Sequence, residues 1–303
     1  MHDLIIIGGG PAGLTAGIYA QRMKIKTLLL EKEMVGGQIA KSDVIENYPG
    51  FPSISGMDLM DKFEGHARNL GLEIKMAEVR DISLKGNVRV VKTTEGEFAA
   101  KAVIIATGAR PKRLGVGGER EFTGKGVSYC ATCDGPFFKN QSVVVVGGGD
   151  TAVKEALYLS RLAKKVYVVH RRDELRAEKI LQEKALSTPN MEFILSHALK
   201  EIKGDKVVTG VVLKDLKTNS SRALEAEGVF VFVGINPITD FADVTKDEGG
   251  FIKTNDRMET SVGGIYAAGD CRTTPLRQVS TAVGDGATAA FVAEGYIEKL
   301  KDA

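Results

Sequence analysis

Cys130 and Cys133 are separated by two residues as C-A-T-C, and Asp134 and Gly135 follow at once. Two thiols at this spacing can close a small ring disulfide. In a cytosolic chain beside a βαβ unit, such a pair reads as a redox dithiol. Dithiols of this spacing as a class have lowered thiol pKa values and exchange through thiolate attack. Zinc ligation and a pair of inert buried cysteines are the other readings. Zinc favours four ligands. Cys271 lies 138 residues beyond Cys133, and His2, His66, His170 and His197 show no ligand spacing. No metal site is expected, and Cys271 reads as a small buried residue. Asp134 admits two readings. A carboxylate beside a thiolate raises the cost of that thiolate, which suits a protonated Asp134 serving as proton donor to a departing sulfur. Equally, Asp134 can simply start a turn with Gly135 and Pro136.

A second chemistry lies in the glycines. Gly8, Gly10 and Gly13 form G-x-G-x-x-G between the apolar run DLIII and the helical pattern LTAGIYAQRM; KTLLLEKE then supplies a strand ending at Glu31. In such a turn the first glycine permits tight bending and the second lets backbone approach a pyrophosphate. The third lets helix pack on strand. The helix N-terminus points N–H groups at the phosphates, and a terminal acid can accept both ribose hydroxyls. The unit recurs from Ser142 with Gly147, Gly149 and Ala152. Glu31 lies 23 positions after Gly8, and His170 lies 23 after Gly147. The copies differ at that end. Glu31 favours a free 2′-OH, whereas Arg171, Arg172 and Arg176 suit a 2′-phosphate, which arginine grips with a planar fork of donors. The first site therefore suits the ADP half of FAD or NAD, and the second NADP(H). The plainer alternative for HRRDELR is the solvated start of a helix.

These groups need a frame. A strand, glycine turn, helix and strand within about 30 residues favour a parallel βαβ crossover. AVIIATGARP and GVFVFVGINP each read as a buried strand stopped by glycine and X-Pro, with Gly108 and Gly234 in corresponding places. GGIYAAGDCR near the C-terminus carries Gly269 and Asp270. Residues 72–101 and 191–230 read as short strands with turns. The expected fold class is α/β: two Rossmann-like dinucleotide-binding domains, each a parallel sheet with helices plus a β-meander. The first is discontinuous, residues 1–113 and 244–303. The second, 114–243, is inserted and carries the dithiol. Two linkers side by side make a hinge plausible.

Composition narrows the classes. The chain has 303 residues, enough for two cores. Net charge is +2, so a basic nucleic-acid surface is not indicated. No stretch of 18 apolar residues occurs, so no membrane span is expected, and MHDLIIIGGG lacks the basic start of a signal peptide. Three cysteines exclude a disulfide framework and favour a reducing, cytoplasmic setting. Glycine is abundant, with 35 residues, and much of the excess falls at the nucleotide turns.

Taken together, GGGPAGLTAGIYA, GGQI with IENYPG, ATGARP, CATCDGPFF, GGGDTAVKEALYLS, HRRDELRAEKIL and YAAGDC with RQV resemble the low-molecular-weight, bacterial-type thioredoxin reductases over essentially the whole chain. The resemblance implies FAD in the discontinuous domain. Gly8, Gly9, Gly10, Pro11, Ala12 and Gly13 would hold its pyrophosphate, with Glu31 and Lys32 at the adenosine. Gly36, Gly37, Gln38 and Asn47 would lie near the flavin, and Val79 and Gly108 would also contact the cofactor. Gly269 and Asp270 would meet the ribityl–phosphate part, and Arg277, Gln278 and Val279 the pyrimidine edge. NADPH would lie on Gly148, Gly149, Asp150 and Thr151, with Arg171, Arg172 and Arg176 at its 2′-phosphate and His170 also in the cofactor site. Cys133 would face the flavin, Cys130 would exchange with the partner, and Asp134 would donate the proton. The implied route runs from NADPH through FAD and the Cys130–Cys133 disulfide to thioredoxin, with the inserted domain rotating between two poses. The implied assembly is a homodimer. Phe137-Phe138 reads equally as a docking surface or as core. Lys154 stands where an acid is frequent in the family. An NADPH-dependent flavin reductase of a ferredoxin, flavodoxin or dye would not need the dithiol. A non-catalytic redox sensor would not turn over.

Overall fold

The computed structural model describes residues 1–42 and 44–300. The chain first lays down β1 (His2–Ile7), α1 (Pro11–Arg22), β2 (Thr27–Glu31), α2 (Gly56–Asn69) and β3 (Glu73–Met76). β4 (Val79–Lys85), β5 (Val88–Thr93) and β6 (Gly96–Ile105) follow. β7 (Ala109–Pro111) leads into the second unit. That unit contains β8 (Val127–Ser128), α3 (Ala131–Asp134), β9 (Ser142–Val146), α4 (Asp150–Leu159), β10 (Lys165–Val169), α5 (Lys179–Leu186) and β11 (Met191–Ile194). It continues through β12 (His197–Gly204), β13 (Val208–Asp215), β14 (Ser221–Glu225) and β15 (Gly228–Val231). β16 (Ile235–Pro237) leads out, and β17 (Ile265–Ala267) and α6 (Val279–Lys299) complete the first unit.

The compact units are Met1–Arg110 with Asn236–Ala303, and Pro111–Ile235. These limits differ from the expected 113/114 and 243/244. The stretch after Asn236 goes with the first unit for a physical reason. Ile238 N–H donates to Gly108 O and its carbonyl accepts from Thr107 Oγ1, and Ala242 and Val244 lie in the same core as Ile5 and Val103.

In the first unit, β3, β2, β1, β6 and β17 run in parallel, with Ile5 beside Leu28 and Val103. β6 serves two neighbours along one edge. Its start pairs antiparallel with β5, which continues to β4, and its end pairs with β17. The apolar run of β1 is buried on both faces, as parallel strands covered on both sides require. Leu4 and Ile6 face a core shared with α1 and α6; Ile5 and Ile7 face the other side. In the second unit the order β11-β10-β9-β15-β8 repeats that arrangement in parallel. Val143 and Val145 pack toward α4, and Val144 and Val146 toward the antiparallel β12-β13-β14 sheet. The fifth strand comes from the chain's end in the first unit (β17) and from before the βαβ in the second (β8). Among the described residues no helix is long and apolar enough to cross a membrane.

Candidate functional site

The first glycine turn joins β1 to α1. Gly8 has φ +109°, a conformation L side chains rarely adopt. Pro11 occupies the first turn of α1, and no side chain caps its N-terminus at Gly10. The helix's leading N–H groups therefore point outward without a side-chain acceptor, as an anion site requires. A Cβ on Gly13 would lie 1.8 Å from Gly8 O, so helix and strand approach more closely than any side chain allows. We predict that Gly13→Ala costs roughly 3 kcal/mol or more, read from urea unfolding of the apoprotein. A loss below about 1 kcal/mol would contradict this reading of the turn.

Glu31 ends β2 against this turn. Its Oε2 accepts Gly9 N–H at 2.6 Å and its Oε1 accepts Glu33 N–H at 2.8 Å. Each oxygen keeps a further lone pair, so the acid is fixed in place and can still accept hydroxyls. Lys32 pairs with Glu78 at 2.6 Å. Gly36 N–H donates to Gly9 O at 2.8 Å, which sets Gly36 and Gly37 over the turn. Gln38 follows at the start of a 3-10 turn. Asn47 Nδ2 donates to Gln278 Oε1 at 3.1 Å, and Gln278 forms a capping box with Thr281 at the start of α6. Val279 is buried among Ala40, Ile45, Leu59 and Met60. Val79 packs on the Ile5 side of the sheet, and Gly108 accepts Ile238 N–H.

The Gly269–Cys271 turn returns to the same place. A Cβ on Gly269 would lie 3.1 Å from Ala12 Cβ. Gly269 N–H donates to Asp285 Oδ2 at 3.0 Å, and Arg272 grips Asp285 with Nε at 2.7 Å and Nη2 at 3.0 Å. This Arg272–Asp285 fork was not legible in the sequence. Arg277 lies with its guanidinium 4.4 Å from the centre of the Phe251 ring. Its Nε is buried and finds no partner among the described residues. Cys271 is fully buried, and burial pushes its thiol up to about 11.

Burial raises the Asp270 carboxyl to about 6, against attraction from Arg277 and with repulsion from Asp285. A carboxyl raised on folding holds its proton more tightly in the native state. Its stability contribution is full below the ordinary value near 3.8 and is lost as pH rises toward 6. Asp270→Asn is therefore expected to stabilise the apoprotein at pH 7 by about 3 kcal/mol and to leave it unchanged near pH 3.5. Urea unfolding at the two pH values checks this; equal effects at both would contradict it.

The second turn repeats the first. Gly147 and Gly148 are buried, and Gly149 caps α4 without a side-chain acceptor. A Cβ on Gly148 would meet His170 Nδ1 at 2.4 Å. The strand-end residue thus touches the middle glycine of the triplet in both copies, as a hydrogen bond from Gly9 to Glu31 and as close packing of His170 against Gly148. His170 is 5% exposed, and its Nε2 finds no partner among the described residues. Burial, then the charges of Arg176, Arg172 and Arg171, hold its imidazole below the usual histidine range. The loop after it is irregular and not helical. It is tied to the turn by backbone: Arg176 N–H and Ala177 N–H donate to Gly148 O at 2.6 and 3.1 Å, and Glu178 N–H donates to Asp150 Oδ1 at 2.8 Å. Arg171, Arg172 and Arg176 are exposed beside it, as is Thr151 on α4.

Cys130 and Cys133 are joined as a disulfide with Cα atoms 5.3 Å apart. Cys130 caps α3, and its Sγ accepts Cys133 N–H at 3.2 Å. Asp134 ends the same helix, half-buried, with Oδ2 accepting from Ser128 Oγ at 2.5 Å. Tyr129, next to Cys130, donates to the buried Glu119 at 2.8 Å. Neither Ser128 nor Glu119 carries a motif. The pair Phe137-Phe138 divides: Phe137 is 50% exposed, while Phe138 packs edge-on against buried Phe230 at 5.2 Å. No cluster of ligating side chains that could hold a metal occurs among the described residues.

The family model of the pyridine nucleotide-disulphide oxidoreductases matches residues 2–286. The chain is 48% identical to a thioredoxin reductase of Peptoclostridium acidaminophilum, covering 98% of each protein. It is 46% identical to one of Bacillus subtilis, covering 100% of this chain and 96% of that one. The crystal structure of thioredoxin reductase from Streptococcus pyogenes superposes with a TM-score of 0.95 at 46% identity, covering 99% of both chains. Two dinucleotide-type turns on parallel sheets, and a formed disulfide on the inserted one, are the parts that the family's name joins. The chain belongs to the pyridine nucleotide-disulphide oxidoreductase family.

Proposed function

We propose that this chain is a thioredoxin-disulfide reductase: an enzyme that binds FAD in the first unit and NADPH in the second, and reduces oxidised thioredoxin through Cys130–Cys133. One observation carries the reading: the Cys130–Cys133 disulfide is formed and half-exposed on the unit that also holds the arginine-flanked glycine turn. Relatives at 46–48% identity named thioredoxin reductase support it. A flavin reductase for other carriers has no use for this disulfide. The reading includes a homodimer and a cytoplasmic setting.

The residues fit both groups. For FAD, the uncapped α1 N-terminus with Gly8–Gly13 receives the pyrophosphate, and Glu31 and Lys32 the adenosine end. Gly36, Gly37, Gln38, Asn47, Val79 and Gly108 line its path. Gly269 and Asp270 take the ribityl–phosphate part. Arg277, Gln278 and Val279 would meet the ring, and the buried Arg277 Nε has no protein acceptor to compete with it. For NADPH, Gly148, Gly149, Asp150 and Thr151 receive the pyrophosphate, with His170 beneath them and Arg171, Arg172 and Arg176 at the 2′-phosphate. When bound, the two groups supply hydride transfer and delivery of an electron pair to the disulfide.

The chain's own residues perform the exchange. From the dithiol, the Cys130 thiolate attacks one sulfur of the thioredoxin disulfide. That S–S bond breaks, a mixed disulfide forms on Cys130, and the departing sulfur takes up the proton that Cys130 gave up on becoming a thiolate. Cys133 then attacks Cys130 Sγ, closing the Cys130–Cys133 bond and releasing the second sulfur. Asp134 takes the Cys133 proton and passes it to that sulfur. Two electrons and two protons have moved from one dithiol to the other. A steady-state assay of NADPH oxidation with and without oxidised thioredoxin tests this; oxidation that does not depend on thioredoxin contradicts it.

A further inference from the structure

The helix that carries the dithiol, α3, is four residues long. A single turn is not self-supporting, so the place of the Asp134 carboxyl relative to the sulfurs is set from outside the helix. Ser128 does this. It ends β8, two positions before Cys130, and is 4% exposed. Its hydroxyl donates to Asp134 Oδ2 at 2.5 Å, with Cys130 O a more distant acceptor at 3.2 Å, and its oxygen accepts Cys130 N–H at 3.1 Å. β8 pairs in parallel with β15, placing Ser128 opposite the fully buried Phe230. One oxygen anchored in the sheet thus joins the amide of the first cysteine to the acid at the far end of the helix.

We infer that Ser128 is a positioning residue for proton transfer, fixing the Asp134 carboxyl at the end of the dithiol helix by binding the acid and the Cys130 backbone at once. This inference rests on the reading above, in which Asp134 carries the proton.

The consequence is measurable because a hydroxyl that donates to a carboxylate favours its charged form. Removing the hydroxyl raises the pH at which Asp134 gives up its proton. Titratable groups surround it on three sides. Cys130 and Cys133 share the helix. α4 brings Glu155, which accepts Ala131 N–H, and Tyr158, whose ring lies against Gly135. Tyr129 and Glu119 bond to one another on the β8 side.

The experiment compares Ser128→Ala and Ser128→Thr with the unsubstituted FAD-loaded protein in two measurements. The first is the pH profile of kcat for thioredoxin reduction. The second is the pH dependence of iodoacetamide alkylation of the reduced dithiol, which needs neither NADPH nor thioredoxin. For Ser128→Ala, the acid limb of kcat is expected to move up by about one to two pH units. At pH 7, kcat falls roughly tenfold with KM for thioredoxin within about twofold. The alkylation midpoint moves by about half a unit or more, as coupled groups require. Ser128→Thr restores all three. Ser128→Gly also removes the hydroxyl and gives the same reading should the Ala variant not fold. Profiles of the Ala or Gly variant that superimpose on the unsubstituted protein overturn the inference. An unsubstituted protein that does not reduce thioredoxin, with alkylation midpoints that still shift, contradicts the proposed function and leaves the Ser128 role standing.

Discussion

Replacing either Cys130 or Cys133 with serine is expected to lower NADPH-dependent thioredoxin reduction by about three orders of magnitude or more, because the group removed is the nucleophile or its resolving partner. The same variants should still fold. The disulfide closes a loop between residues only three apart, and a loop that short constrains the unfolded chain least. The Ser128, Asp134 and β8 contacts that hold the segment do not involve the sulfurs. The flavin of each variant should still bleach on adding NADPH, since none of the proposed nucleotide contacts comes from α3. Thioredoxin reduction that survives in Cys130→Ser would remove the dithiol from the mechanism. Loss of flavin bleaching in the same variant would show a different defect, in the nucleotide sites.

The double substitution Arg171→Ala/Arg172→Ala is expected to lower kcat/KM for NADPH by about 10²–10⁴ and to leave NADH nearly unchanged. Each charge-assisted contact to a phosphate contributes about 1.5–3 kcal/mol. The geometry makes this a clean test. The loop that carries the arginines is held to the turn through backbone: Arg176 and Ala177 donate to Gly148 O, Glu178 donates to Asp150, and Ser196 N–H donates to Arg172 O at 2.8 Å. Both side chains are exposed, so truncating them removes charge without moving the loop. Equal losses for NADPH and NADH would mean that the arginines do not read the 2′-phosphate.

What could be read from the sequence was local. The 23-residue spacing from Gly8 to Glu31 and from Gly147 to His170 is fixed by one strand, one helix and one strand, and all three are visible as patterns. The dithiol is visible for the same reason. What could not be read depends on residues distant in the chain. Asp285 meets Gly269 and Arg272 because α6 crosses that turn, and Ser128 meets Asp134 because β8 ends beside a single turn of helix. The limit of the first unit falls at Asn236, earlier than composition indicates, because Ile238 and Thr239 bond back to the unit through Gly108, Thr107 and Gly250. Phe137 and Phe138 look alike in sequence; only the position of Phe230 separates the exposed ring from the buried one.

In the proposed reaction one chain connects a nicotinamide donor to a protein disulfide through its own Cys130–Cys133 pair. An anaerobic visible spectrum of the purified protein tests that claim most directly. The predicted result is a flavin band that bleaches on adding NADPH and recovers on adding oxidised thioredoxin, with recovery abolished in Cys133→Ser. A band that bleaches with NADPH and does not recover with thioredoxin, or that recovers equally in Cys133→Ser, would contradict it.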